Sequence, residues 1–511
     1  MQLEFGLLCV FFKFCRRQIS YNLIAEETKK GREQAMLQHN FEFSACTSIL
    51  VGKKAMADGS TVIGRNEDSK SAWPKHMVIH PRQTFAEDQT FVSKDNGFTM
   101  PLEKTRFKYS ATPEWTDEFG LFEEDGINEY GVCMSATESA YANERVLGFD
   151  PLVEKGIGEE AMVTVVLPYV KTAREGVKRL GAIVEKYGTC ESNGILFSDK
   201  DEVWYLETGS GHHWVAQRIP DDCYAVVANQ LAIQEIAFDD PDNFMFSASI
   251  QEFVSKNHLN PDETCFNFRN IFGTHTLSDE IYSTPRVWDG QRILSPSQKQ
   301  DPMSEELPFI RKPDRKLFMD DLEYVMGAHF QNSPYDPLGK GPDDLKHKFR
   351  PISLAKTQES HLLQMRPGFA PEIAGLHWLA MGVTCQSVFV PVYAGTTDVL
   401  DAYKHGEKTY SKDSAYWAYK LLGILVDPHY PLFGTKLHDL QKECAIEFKQ
   451  KILETDKKAK ELKDEALFEL LTKASLEMQR LALDKVEKLK AELITESTDL
   501  SPLNFKTDAN L

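Results

Sequence analysis

The sequence predicts a mixed α+β protein. Short β-runs separated by longer irregular stretches fill residues 46 to about 400, and one amphipathic helical period lies among them. Beyond about residue 401 the character changes to helix-forming Lys, Glu, Leu and Ala. This divides the chain into a 1–45 leader or propeptide, a 46–400 core and a 401–511 helical region packed on that core.

The strand candidates follow from β-branched and aromatic runs bounded by turn residues. They are Thr47–Val51, Ser60–Arg65, Gly131–Ala136, Gly194–Ser198, Val203–Glu207, Trp214–Arg218 and Tyr224–Ala228. Thr208-Gly209-Ser210-Gly211 joins two of these as a hairpin; it lacks the Lys and the strand-to-helix context of a phosphate loop. Ala173, Val177, Leu180, Val184 and Tyr187 fall at spacings of three and four, which predicts a helix from Pro168 to Tyr187 stopped by Gly188. A further apolar block, Leu376 to Tyr393, returns to the core. Residues 412–424 read as a short helix. Residues 435–495 carry two apolar stripes, Leu437 to Ile452 and Leu467 to Leu493. Such stripes pack on the core or on a second copy, so self-association is an open expectation. The last fifteen or so residues are polar and frayed.

Composition limits the function. The 511 residues carry 58 basic and 77 acidic side chains, a net charge of −19. Such a chain repels phosphate backbones and anionic lipid, so nucleic acid is not an expected partner. The run Phe5–Phe14 is broken by Lys13, and it is shorter than the ~20 apolar residues of a membrane span. Residues 1–45 read as a leader ending in Ser44 and Ala45, with Met36 an alternative start. The nine cysteines are odd in number and form no C-x-x-C pair, which suits a reducing cytoplasm.

Chemistry concentrates at Cys46. It opens one β-run, and the next, after a turn at Asp58-Gly59, ends in Arg65-Asn66-Glu67-Asp68. Two runs joined by a tight connection lie side by side, which brings Arg65 and Asp68 back to Cys46. A thiol, a cation and a carboxylate are the parts of an activated nucleophile. A lone buried cysteine is the plainer alternative. Other catalytic sets are missing from the sequence: it holds no G-x-S-x-G, H-E-x-x-H or Walker loop. His212 and His213 on a strand would point to opposite faces. His377 reads as a satisfied core histidine.

The segment Cys-Thr-Ser-Ile-Leu-Val-Gly with Asp-Gly-Ser-Thr and Arg-Asn-Glu-Asp resembles the dipeptidase A family, relatives of the secernins among the N-terminal-nucleophile (Ntn) hydrolases. DGINEYGVCMSATES at 125–139, WYLETGSGHHWVAQRIPDD at 204–222, YAVVANQL at 224–231, YSTPRVWDG at 282–290 and SVFVPVYAGT at 387–396 extend the likeness to at least Gly395. The resemblance implies a four-layer αββα sandwich and a cysteine dipeptidase acting on small peptides, with no metal or organic cofactor. It implies that the leader is removed so that Cys46 becomes the first residue. Its α-amine, with an ordinary pKa of ~7.7–8.0, then serves as the base.

On the same resemblance Asp68 holds the α-ammonium or the thiol, and Arg65 favours the thiolate. Asn229 helps form the oxyanion hole, and Arg286 is a second active-site arginine. A turn-capping role for Asn229 and a surface ion pair for Arg286 stay open. So does the second oxyanion donor, because the chain reads Ser135-Ala136-Thr137-Glu138 where the acylase relatives carry another Asn. Another Ntn amidase, acting on acylated amino acids, bile-salt conjugates or penicillin-like amides, and a non-enzymatic secernin-like interaction protein are the alternatives.

Overall fold

The computed structural model describes residues 45–262 and 264–503. The segment up to Ser44, where a leader is expected, and the residues from 504 on lie outside the described residues.

Two antiparallel sheets organise the chain. The first has seven strands in the order Ile310–Arg311, Tyr224–Val227, Ala45–Val51, Thr61–Asp68, Thr357–Met365, Gly375–Met381 and Val390–Tyr393. The second has six, in the order Phe244–Phe246, Trp214–Arg218, Val203–Thr208, Ser192–Ser198, Cys133–Ala140 and Asp125–Ile127. Sequence-adjacent strands pair as hairpins at several places, which suits short β-branched runs separated by turn residues. The turn before the second strand is set by Asp58, whose Oδ1 accepts from Ser60 N at 3.0 Å, and by Gly59 at φ +78°.

Side-chain alternation sorts these strands into three cores. Leu50, Ile63, Val227 and Leu363 of the first sheet meet Cys133, Leu196, Tyr205 and Val215 of the second. Ile49, Val51, Val62 and Leu362 face the other way, into a core shared with the helices Met319–Met326, Ala415–Val426, Tyr430–Ala459 and Asp464–Ser497. Met134, Ile195, Phe197, Trp204 and Leu206, on the outer face of the second sheet, bury helices Glu159–Val166 and Ala173–Tyr187.

All seven predicted strands are present, two of them extended toward the site, as Thr61–Asp68 and Cys133–Ala140. The predicted Pro168–Tyr187 helix begins later, at Ala173. Thr172 caps it by accepting from Glu175 N at 3.1 Å, and Pro168 sits in a separate buried 3₁₀ turn, Leu167–Tyr169. Gly188, at φ +76°, ends it. The Leu376–Tyr393 block is a pair of strands, and the 435–495 stretch is two helices breaking between Ala459 and Asp464. Three small two-stranded ribbons spanning residues 78–111 escaped the sequence reading. Their strands are two to four residues long and mostly half-exposed, too short for a period to register. No described helix is long and apolar enough to cross a membrane.

Candidate active site

Strands Ala45–Val51 and Thr61–Asp68 pair with Ala45 opposite Asp68, Cys46 opposite Glu67 and Ser48 opposite Arg65. Residues opposite one another share a face, so Cys46, Arg65 and Glu67 all point between the sheets. Arg65 Nη1 lies 3.0 Å from Cys46 Sγ, and the thiol lies 3.2 Å from Glu67 Oε2. Glu67 Oε2 is itself 2.6 Å from Arg65 Nη1. Arg65 is fully buried and hydrogen-bonded all round its fork. Nη2 meets Glu124 Oε2 at 2.5 Å and Ala136 O at 2.7 Å; Nη1 meets Thr137 O at 2.6 Å and Glu159 Oε1 at 3.4 Å; Nε donates to Ser135 Oγ at 3.2 Å. Lys75 Nζ holds the other oxygen of Glu124 at 2.5 Å.

Burial works against the charge of Arg65, but Cys46, Glu67, Glu124 and Glu159 outweigh it, and the guanidinium's pKa is raised well above its usual value. Burial and then repulsion from Glu67 push the Glu124 carboxyl up. Burial, Glu67 and Glu124 push Glu159 well above the ordinary carboxyl range. A fixed cation at this distance stabilises negative charge on sulfur, as nucleophilic attack requires.

Asp68, next in sequence to Glu67, points to the opposite face of the pleat. Arg350 Nη2 pairs with its Oδ2, and Thr357 Oγ1 donates to its Oδ1 at 2.5 Å. Burial raises its pKa against the pull of Arg350. Its backbone neighbour across the ladder is Ala45, beside the Ala45–Cys46 peptide bond. The carboxylate touching the thiol is therefore Glu67. Alternation along the strand, counted from Arg65, was the signal for it.

Arg286 is buried at the start of helix Thr284–Leu294, not in a surface position. Its Nη1 donates to Cys46 O and, at 2.9 Å, to Thr47 Oγ1; its Nη2 donates to Asn229 Oδ1 at 2.6 Å. Asn229 Nδ2 donates to Ser139 O at 2.8 Å. Arg286 thus fixes the direction of the Asn229 amide; Ser139 O takes one of the two Nδ2 hydrogens, and an oxyanion role would fall to the other. Tyr282 lies against both arginines, 5.0 Å from Arg286 and 5.3 Å from Arg350. Sequence reasoning missed Tyr282, Arg350, Glu124 and Glu159, which lie far from Cys46 along the chain.

Behind Arg65 lies a second polar cluster. His361 Nε2 is 2.8 Å from Ser135 Oγ, and its Nδ1 is 3.1 Å from Asp125 Oδ2 and 3.0 Å from Glu359 Oε1. His377, read as a core histidine, is buried with Nε2 3.0 Å from Asp125 Oδ1 and Nδ1 3.2 Å from Ser110 Oγ. His212 and His213 have separate partners, Asp150 and Ser247. Among the described residues two groups hold donor atoms close enough to share a cation, Cys46–Glu67–Glu159 and Asp125–Glu359–His361. In the first Arg65 already supplies positive charge. A cavity of about 500 Å³, lined by Glu323, Trp378, Tyr430 and Phe448, lies on the helical side of the first sheet and contains no part of the Cys46 constellation.

The sequence model of "Peptidase family C69" matches residues 45–443, starting one residue before the thiol. A "Probable dipeptidase" of Latilactobacillus sakei is 48% identical over 92% of this chain and 99% of its own length. A "Dipeptidase A" of Lactobacillus helveticus is 37% identical over 90% of this chain and 98% of its own, and a "Dipeptidase" of Bifidobacterium longum 40% identical over 75% and 77%. A match of this extent, with the Cys46–Arg65 pair inside it, makes the chain a member of peptidase family C69.

Proposed function

We propose that this chain is a cysteine dipeptidase of the N-terminal-nucleophile type. Its two facing sheets with helices outside correspond, on this reading, to the αββα sandwich of that class. The observation that carries the proposal is the contact of Arg65 Nη1 with Cys46 Sγ at 3.0 Å, on a strand whose next bond upstream is Ala45–Cys46. Relatives named as dipeptidases over nine-tenths of the chain support the substrate class.

While Ala45 acylates it, the Cys46 nitrogen is an amide and no base. Cleavage at Ala45–Cys46 frees an amine whose ordinary pKa, ~7.7–8.0, suits proton transfer near neutral pH. The thiol passes its proton to that amine and attacks the peptide carbonyl. Arg65 supports the thiolate, and on this reading Asp68 holds the new ammonium. The tetrahedral oxyanion then collapses, the leaving amine takes the proton from the α-ammonium, and water hydrolyses the thioester. Arg286 holds the Cys46 carbonyl and the Asn229 amide in register for oxyanion stabilisation. The reading calls on no metal or organic cofactor.

The test is the mature N-terminus together with turnover. Intact mass is expected to begin at Cys46. Cys46→Ala is expected to keep the leader, if processing is autocatalytic, and to lose dipeptide hydrolysis altogether. Wild-type turnover by Cys46→Ala, or an active preparation still acylated at Cys46, refutes the mechanism.

A further inference from the structure

We propose that Glu159 receives the substrate's α-ammonium, so that the site selects peptides with a free amino terminus. The inference rests on the dipeptidase reading above and assigns the subsite it leaves blank.

The geometry of a dipeptide sets where such a receptor must be. Its amino nitrogen and scissile carbonyl carbon are separated by one Cα and lie about 2.5 Å apart. With the sulfur about 3–3.5 Å from that carbon and a hydrogen bond of about 2.8 Å to the nitrogen, a carboxylate that binds the ammonium must sit no more than about 9 Å from the attacking sulfur. The ligating atoms of Cys46, Glu67 and Glu159 all lie within 4.8 Å of one another.

The three carboxylates around Arg65 are not equivalent. Glu67 is held by Arg65 at 2.6 Å and by the thiol at 3.2 Å. Glu124 is clamped between Arg65 and Lys75, both at 2.5 Å. Glu159 has two long contacts, both through Oε1 and both at 3.4 Å, to Arg65 Nη1 and Thr137 N. It is also the least sealed of the three, 9% exposed against 4% for Glu67 and 1% for Glu124. Its backbone is fixed, as the first residue of helix Glu159–Val166, by Glu191 Oε1 accepting from its N–H at 2.7 Å.

Two further observations point to an arriving cation. Arg65 and Lys75 face Glu67, Glu124, Glu159 and, 3.8 Å from Lys75, Glu114, so carboxyls outnumber positive groups. Burial and repulsion among the carboxylates push Glu124 and Glu159 upward, as expected where carboxyls outnumber cations. Thr137, whose N–H and C=O touch Glu159 and Arg65, keeps its Oγ1 buried with no hydrogen-bond partner among the described residues. An ammonium has three N–H donors, and the Glu159 carboxylate, within 4.8 Å of the thiol, and the Thr137 hydroxyl on the residue next to it are acceptors for them.

The experiment compares an alanyl dipeptide with its N-acetyl counterpart on the mature full chain. Glu159→Gln keeps the shape and loses the charge. It is expected to raise KM for the free dipeptide roughly 10- to 100-fold, the worth of a charge-assisted hydrogen bond. Its kcat/KM for the acetylated peptide is expected to fall far less, so that the ratio of kcat/KM for free over acetylated peptide drops roughly 10- to 100-fold, and Glu159→Asp is expected to recover part of that ratio. A parallel fall for both peptides overturns the proposal, because a structural role or a pairing with Cys46's own ammonium affects both alike. A second measurement needs no variant and no turnover. Alanine amide is expected to protect Cys46 from iodoacetamide and N-acetylalanine amide not to; equal protection, or none, also overturns the subsite. Wild type that cleaves no dipeptide, yet is protected by alanine amide alone, refutes the proposed reaction and leaves the subsite standing.

Discussion

Arg65 brings a permanent charge into a fully buried space, and the residues behind it decide whether that charge stays aligned with Cys46. Ser135 accepts from Arg65 Nε at 3.2 Å and lies 2.8 Å from His361 Nε2, so His361 positions the guanidinium through one hydroxyl. Titratable or charged groups face His361 on every side: Asp125 and Glu359 directly, His377 through Asp125, and Arg65 through Ser135. Burial disfavours its proton, but Asp125 and Glu359 outweigh burial and raise the imidazole to about 9. Below pH ~6.5 folded and unfolded chains both hold this proton, and the pairing stabilises fully. From there to about 9 only the folded chain holds it, so stability falls as pH rises. His361→Gln is therefore expected to lower the thermal midpoint most at pH 6, with the gap to wild type narrowing toward pH 9. A gap that does not change with pH means that His361 carries no proton in the fold. Cys46 and Arg65 were legible in the sequence because one turn joins their strands. His361 and Asp125 were not, because only the pairing of Thr357–Met365 with Thr61–Asp68 and the stacking of the sheets bring them near Arg65. No local spacing encodes that.

Elements obey two constraints at once, their own propensity and the surface they cover. Helix Ala173–Tyr187 was readable from its apolar period, and its true start from Thr172 once the cap outranked Pro168. Its glycines answer to the sheet below instead. Gly181 sits over Trp214, where an added Cβ would come within 2.1 Å of Cζ2, and Gly176 sits over Phe197 at 2.6 Å. Gly to Ala inside a helix ordinarily stabilises by roughly 0.5–1 kcal/mol. Here the indole edge is rigid and buried, and overpacking typically costs about 1–3 kcal/mol. Gly181→Ala is expected to destabilise the protein despite its better helix propensity, as read by a lower urea midpoint. A higher midpoint would mean that the helix can ride up from the sheet. The 78–111 ribbons show the opposite case: short, half-exposed strands have neither period nor a single buried face, so sequence pattern is silent there.

For the whole molecule the question is whether the C-terminal helices are an appendage or part of the fold that holds Cys46. The change in composition near residue 401 suggested a boundary, but the hydrophobic core crosses it. Val390, Val392 and Tyr393 of the first sheet share one buried cluster with Phe448 and Ile452 of one long helix and Leu471 and Met478 of the next. The junction also carries a charge pair. Arg366, just past the strand Thr357–Met365, meets Asp456 with Nη1–Oδ2 at 2.6 Å and Nη2–Oδ1 at 3.1 Å, and Tyr393 Oη donates to the same carboxylate at 2.9 Å. Both charged side chains are about nine-tenths buried, 10% and 11% exposed. Removing one member of such a pair strands the other and costs about 3–5 kcal/mol. Arg366 ends the strand that also carries Glu359 and His361, so the helices bear on the scaffold behind Arg65. Asp456→Ala is therefore expected to shift two probes together in urea: helical circular dichroism, dominated by the C-terminal helices, and alkylation of the buried Cys46 thiol. Coincident curves that move by the same amount mark one cooperative unit. Helical signal lost at a urea concentration where Cys46 is still protected would make the C-terminal region a separate domain, and would leave the Arg366–Asp456 pair without bearing on the site.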